Sequence, residues 1–230
     1  MNKHYASDDK LNWCSIVERA GDKPTLITIE DCDTLAAAKK FSNPCCLNFA
    51  SHKRPGGGYK AVINIPLPIK TQEEDLFRRS NLPELMDIPE VRKWYPLHGL
   101  SGIYTNQVVI CKDAKLQPCE PFNISLVTVP AVVNPHTIEH MQLVKNKAYR
   151  ILEIAADNEH KDLILGAWGC GVFNNDPTNI AELFCSIIRS DFRNIFDNVI
   201  FAIPGKNSNN YRCFEERIGF YQANGGQKVV

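Results

Sequence analysis

Short runs dense in Val, Ile and Leu alternate along the chain with longer stretches whose apolar positions recur every three or four residues. The short runs predict strands at 25–29, 45–49, 108–111, 124–129, 163–165 and 199–203. Most are apolar at consecutive positions, as strands covered on both faces are. The longer stretches predict helices at 33–41, 72–81, 138–156, 177–189 and 210–218. In the third of these, Ile138, Met141, Leu143, Val144, Ala148, Ile151, Leu152 and Ala155 form one broad stripe that reads as core. Asp31 or Asp33 can cap the first helix, and Asp176 the fourth, where Pro177 follows at a position whose missing N–H costs nothing. Strand and helix patterns taking turns imply an α/β protein built as a three-layer α/β/α sandwich. Residues 83–96 are polar and Pro-punctuated, a short helix-and-loop excursion. No Ser/Gly linker divides the chain, so a single domain over 1–230 is expected.

Composition narrows what such a sandwich can do. Lys and Arg number 26, Asp and Glu 26, and the formal net charge is zero. A protein that coats nucleic acid needs a basic excess to release counterions, so sequence-specific nucleic-acid binding is not expected. With 44% hydrophobic residues the chain can bury a large core, which excludes global disorder. The N-terminal residues contain no apolar leader-like run, and no stretch approaches the roughly 18 apolar residues that span a bilayer. A cytoplasmic or nuclear protein with no membrane partner is expected. The nine cysteines are scattered and contain no C-x-x-C, which predicts reduced, mostly buried thiols. His136-Thr137-Ile138-Glu139-His140 fits H-x-x-E-H, but it follows Asn134-Pro135, so the first His falls at or before the helix start and not a turn inside it. No metal and no other cofactor is expected.

The chemistry concentrates in three segments. Gly56-Gly57-Gly58 follows the strand at 45–49, and three glycines in a row let backbone approach a ligand closely because no Cβ intervenes. Gly166-Ala167-Trp168-Gly169-Cys170-Gly171-Val172-Phe173 leaves the strand at 163–165 and enters the helix capped by Asp176. Strand, glycine turn and helix N-terminus is an arrangement that offers free N–H groups to a phosphate. It is not a dinucleotide fingerprint, since Asn174 stands where that pattern needs Gly or Ala. Between the two lies Gln72-Glu73-Glu74-Asp75-Leu76, whose adjacent carboxylates diverge around a helix start, so that one can reach a ligand while another anchors.

Taken in order, Asn48-Phe49-Ala50-Ser51, the glycine triplet, Gln72-Glu73-Glu74 with Arg78-Arg79-Ser80, and the 166–177 segment resemble the microbial-type poly(ADP-ribose) glycohydrolases, a macrodomain-fold family. The resemblance spans roughly 48–218 and implies a macrodomain-like sandwich around a mixed sheet, with residues 1–22 a variable helical extension. It implies an ADP-ribosyl glycohydrolase acting on poly- or mono-ADP-ribose and releasing ADP-ribose. Glu74 would be the catalytic acid and base, and Glu73 would hold a ribose hydroxyl. Asn48, Gly56, Gly57, Gly58, Gln72, Gly169, Cys170, Gly171, Val172 and Phe173 would bind substrate: the triplet closes over ribose and diphosphate, the second turn wraps the diphosphate, and Phe173 packs on ribose. The partner implied is ADP-ribose or an ADP-ribosylated macromolecule.

One departure stands out. Tyr59 to Thr71 makes thirteen residues, a longer separation between triplet and glutamates than the family's. The additional residues, 63–69, are apolar and Pro-rich, which predicts a stiff extended flap beside the leaving group. A non-catalytic reader of ADP-ribose is therefore the alternative, because displacement of an acid by an ångström or so defeats catalysis. Zero net charge and the long separation together favour short or single ADP-ribose units over long chains.

Overall fold

In strand β3 (Cys45–Asn48) every residue is buried, with Cys45 and Leu47 in one core and Cys46 in another. The same alternation runs through β6 (Asp162–Leu165), where Leu163 and Leu165 oppose Ile164, and β7 (Asn198–Ala202), where Val199 and Phe201 oppose Ile200 and Ala202. The pleat sends successive side chains to opposite faces and both faces are covered, so these runs are apolar without a gap. The structure, a computed structural model, describes residues 1–60 and 71–223; the flap expected over 63–69 lies outside the described residues.

Four further strands complete the sheet among the described residues: β1 (Asn2–Tyr5), β2 (Leu26–Glu30), β4 (Gly102–Lys112) and β5 (Pro118–Thr128). Their order is β1-β4-β5-β3-β6-β7-β2. The β5, β3, β6, β7 and β2 neighbours are parallel, and β4 runs antiparallel to both β5 and β1, making a mixed sheet. Helices α1 (Trp13–Val17), α6 (Ile138–Asp157), α7 (Pro177–Arg189) and α8 (Asn209–Ala223) cover the first core. Helices α2 (Thr34–Ala38), α3 (Gln72–Arg79), α4 (Leu82–Met86) and α5 (Pro89–Arg92) cover the second. This is the expected α/β/α sandwich. Asp33 and Asp176 cap α2 and α7, accepting from the Ala36 and Asn179 N–H groups at 2.7 and 2.8 Å, whereas Asp31 accepts from Gly205 N–H.

Several expectations need correction. The 1–22 stretch is no helical extension: residues 2–5 are an edge strand on β4, and helix is confined to α1. A polar four-residue edge strand carries almost no hydrophobic signal; it is held by Tyr5, 1% exposed, whose hydroxyl donates to Asp157 at 2.7 Å. Strands β4 and β5 have 11 residues each, far beyond the predicted stretches, because the β5 hairpin half from Pro118 to Asn123 extends into solvent and is accordingly polar. The first turn of α6 is not core, with Ile138 85% exposed. All nine cysteines are free, but only Cys45, Cys46 and Cys185 are buried.

The parallel strands end together. Asn48 of β3 pairs with Thr128 of β5, and β6 and β7 finish beside them at Leu165 and Ala202. In open α/β sheets ligands bind in the crevice beyond such ends.

Candidate active site

A cavity of about 640 Å³ occupies this crevice, walled by the loops after β3, β5, β6 and β7 and by the start of α3. Gln72 fixes the helix to the sheet. Its carbonyl accepts from the Phe49 N–H at 2.8 Å, and its two amide N–H groups donate to the Leu47 carbonyl at 2.7 Å and the Thr34 hydroxyl at 3.1 Å. Gln72, expected among the substrate ligands, lines the cavity and also holds the site in place, both of its amide N–H groups being engaged. Thr71 caps α3, its hydroxyl accepting from the Glu74 N–H at 3.3 Å.

The adjacent glutamates then diverge. Glu73 is buried, and its carboxylate accepts from the Asn48 amide at 3.3 Å, the Gly56 N–H at 3.2 Å and the Ser51 N–H at 2.8 Å. Glu74 lines the cavity with fewer ties: Gly58 N–H at 3.2 Å and, at 3.5 Å, the Arg78 guanidinium. Asp75 turns away to pair with Arg79 at 2.9 Å, and Arg79 also holds Asp33, so that ion group is structural. Asn48 lies fully buried under the cavity floor; its amide bridges Glu73 and Thr128, and its carbonyl oxygen accepts nothing among the described residues.

Burial pushes the Glu73 carboxyl from the ordinary 4.5 up to about 7; the Ser51, Asn48 and Gly56 donors pull the other way and the Glu74 charge adds to the rise. Because the folded value lies above the unfolded one, the stability tied to this group is complete below about pH 4.5 and is lost as pH rises through about 7. Denaturant unfolding of wild type and Glu73→Gln across pH 4–8 checks this: the wild type should lose about 3 kcal/mol relative to the variant over that range. Parallel curves would show that Glu73 titrates alike in both states.

The three glycines of the triplet do different work. Gly56 has φ +71° and packs so tightly that an added Cβ would lie 2.5 Å from Tyr59 and 2.7 Å from Phe77. Gly57 has φ +53° and faces the cavity, where a Cβ would meet Glu73 at 3.4 Å. Gly58 has no such backbone demand, but a Cβ there would come within 2.8 Å of the Glu74 carboxylate.

Across the cavity, Gly169, Gly171, Val172 and Phe173 form the opposite wall. Gly169 has φ +76°, and a Cβ on it would meet the Asn175 amide at 2.7 Å and Ala131 at 2.8 Å, so it serves the turn's own packing. Asn175 cross-braces the turn through the Val132, Gly169 and Phe173 carbonyls at 2.8, 3.1 and 3.1 Å. Within it, the N–H groups of Gly171, Val172 and Phe173 donate to no protein group among the described residues. These residues, and not the N-terminus of α7, line the cavity; Asp176 caps that helix itself and lies outside the cavity wall. Cys170 is also outside the wall, its thiol directed to the Trp168 carbonyl at 3.6 Å. Phe49 also lines the cavity, as do Ala131, Val133, Pro204 and Asn210, which went unnoticed in the sequence. The apolar Val133, five residues past the end of β5 and exposed, is the one signal that could have flagged them.

Among the described residues no group of three or more His, Cys, Asp or Glu could hold a metal ion, and His136 precedes α6, its ring bonded to the Asn134 carbonyl. No helix among them is long and apolar enough to cross a membrane.

Parallel strand ends that carry a glycine loop over paired glutamates, facing a turn of free amides, define a macrodomain-like sandwich. The microbial-type PARG catalytic domain matches residues 2–114, and the chain is similar to the microbial-type poly(ADP-ribose) glycohydrolases. The match begins inside β1, so the edge strand lies within the part shared with the family. Poly(ADP-ribose) glycohydrolase from Deinococcus radiodurans in complex with ADP-ribose superposes with a TM-score of 0.82 at 28% identity, covering 95% of this chain and 94% of that one. The Thermomonospora curvata enzyme gives 0.78 at 29% identity over 94% and 85%, and its form bound to the inhibitor ADP-HPD gives 0.77 at 29% over 94% and 84%. No curated protein matches the chain.

Proposed function

We propose that the chain is an ADP-ribosyl glycohydrolase that cleaves the O-glycosidic bond at the ribose C1″ and releases ADP-ribose. The observation that carries this reading is the division of labour between adjacent carboxylates on the cavity wall: Glu73 is tied by three donors, and Glu74 accepts a single backbone N–H on one oxygen. Cleavage through an oxocarbenium-like centre needs one group to protonate the departing oxygen and later to take a proton from the attacking water. Protonated Glu74 donates to the leaving oxygen as the C1″–O bond breaks; its carboxylate then accepts a proton as water oxygen bonds to C1″. Glu73 positions Asn48, Ser51 and Gly56, and so holds the loop against which the substrate rests.

The free amides of 171–173 suit a diphosphate, whose charge they would meet with backbone dipoles. Binding energy gathered there orients the ribose for reaction at Glu74, which is where remote contacts accelerate a chemical step. Phe173 and Gly171 beside these amides suit the ribose and diphosphate, and the idle carbonyl oxygen of Asn48 suits a hydroxyl.

The test is direct. Wild-type protein is incubated with free poly(ADP-ribose) and with mono-ADP-ribosylated protein, and released ADP-ribose is quantified by chromatography. Release from either supports the reading; calorimetric binding of ADP-ribose with release from neither makes the chain a reader.

A further inference from the structure

Beyond the glycine triplet runs a second groove of about 600 Å³, with Lys53, Arg54, Lys60 and Arg92 set along it and Asp87 as the one carboxylate among the described residues that line it. Asp87 ends α4, its N–H donating to the Pro83 carbonyl at 3.1 Å, and α5 starts two residues later at Pro89. Its side chain, 8% exposed, gathers three donors: Lys60 at 2.6 Å, the Arg92 Nε at 2.7 Å and the Tyr59 hydroxyl at 2.8 Å. Burial acts to raise the Asp87 carboxyl, but Lys60, Arg92 and Tyr59 outweigh it and hold the group below the ordinary carboxylate range, so it stays ionised.

Tyr59 carries this anchorage into the triplet. Its N–H closes the turn onto the Gly56 carbonyl at 3.0 Å, and its ring packs on Gly56 and, at 4.9 Å between centroids, on Phe77 of α3. Burial and the Asp87 carboxylate both raise the Tyr59 hydroxyl above its ordinary value, so the phenol keeps the proton it donates. One residue back along the chain, the Gly58 N–H holds Oε1 of Glu74 at 3.2 Å. An unbroken series of contacts therefore runs from Asp87 through Tyr59 and Gly58 to Glu74. At the far end of the long separation, Thr71 caps α3 and Gln72 is bonded to the end of β3 with no help from Asp87.

We propose that Asp87 is a positioning residue for Glu74: through Tyr59 it fixes the glycine triplet, and through Gly58 it sets the carboxyl that works on the glycosidic bond. The proposal rests on the hydrolase reading above and deepens it. No contact with substrate is asked of Asp87, which lies outside the wall of the first cavity. The clamp also answers the thirteen-residue separation between triplet and glutamates: Tyr59 and Lys60, its first two residues, are both held by Asp87, so added length downstream need not move Glu74. Support of this kind sharpens the geometry of a reacting group without touching the ligand, and its loss is felt in the chemical step and not in affinity.

The test uses Tyr59→Phe, which keeps the ring packing and loses only the hydroxyl bond, and Asp87→Ala, each alone, together, and combined with Glu74→Gln. Single-turnover release of ADP-ribose from poly(ADP-ribose) should slow about tenfold in either variant, less than the roughly 10²-fold of a full 1 Å displacement, with calorimetric affinity for free ADP-ribose unchanged. Because the two substitutions cut one series of contacts, the double variant should lose no more than either alone, and neither should slow the residual release of Glu74→Gln further. No loss, losses that multiply, a loss that persists in Glu74→Gln, or one that falls on affinity overturns the positioning role while the hydrolase reading stands. Amide hydrogen exchange at Gly58 needs no activity and should quicken about tenfold in both variants. Unchanged exchange overturns the clamp; quickened exchange with no release by wild type overturns the hydrolase reading and leaves the clamp on Gly58 standing.

Discussion

Replacing Glu74 with Gln should lower kcat for ADP-ribose release by roughly 10²–10⁴-fold, the usual contribution of a positioned general acid and base. The affinity for free ADP-ribose should change less than about threefold, since the ligand's charge is met on the other wall of the cavity, by the 171–173 amides. Gln has the size of Glu, can still accept from the Gly58 N–H, and leaves the Thr71 cap untouched because that bond uses the Glu74 backbone. Folding should therefore be preserved, and equal thermal melting of the two proteins is the control. Single-turnover release separates the effects: a variant that binds normally and releases nothing isolates Glu74 in the chemical step, whereas unchanged release would remove it from the mechanism.

The second large effect comes from a single methyl group. Gly58→Ala adds a Cβ 2.8 Å from Oε1 of Glu74 and, because the Gly58 backbone is not in the left-handed region, asks nothing unusual of the main chain. What must yield is the far end of the Glu74 side chain. A displacement of about 1 Å at a reacting group costs on the order of 10²-fold in rate, while stability should stay within about 1 kcal/mol, as for other compatible Gly→Ala changes. Gly56→Ala is the contrast: with φ +71° and Tyr59 and Phe77 at 2.5–2.8 Å, it should unfold the loop first. If Gly58→Ala were as unstable as Gly56→Ala, the steric reading of the triplet would be wrong.

Much of this was legible before any coordinates. Runs such as Leu163-Ile164-Leu165 announce a strand buried on both faces, and Asp176-Pro177 announces the α7 start to the residue. The site was legible as an ordered set of segments, because local chemistry marks each: glycines where backbone must come close, carboxylates at a helix start. What stayed hidden was assigned by partners distant in sequence. That Gln72 also ties α3 to the sheet shows only when the Leu47 carbonyl and Thr34 hydroxyl are seen to occupy its amide. Lys53, Arg54 and Arg92 are three ordinary surface cations until the fold sets them along one groove. Strand β1 escaped because an edge needs little apolar surface.

The three unpartnered amides of 171–173 carry a consequence for how such a site can be lost or found. They belong to the main chain, so no side-chain truncation deletes them, and Val172, 78% exposed, can become almost anything without altering what the turn presents. An alanine scan would leave these three amides in place, and the side chain of Val172 is free to drift. Only a change that removes an N–H outright, such as Val172→Pro, reaches them.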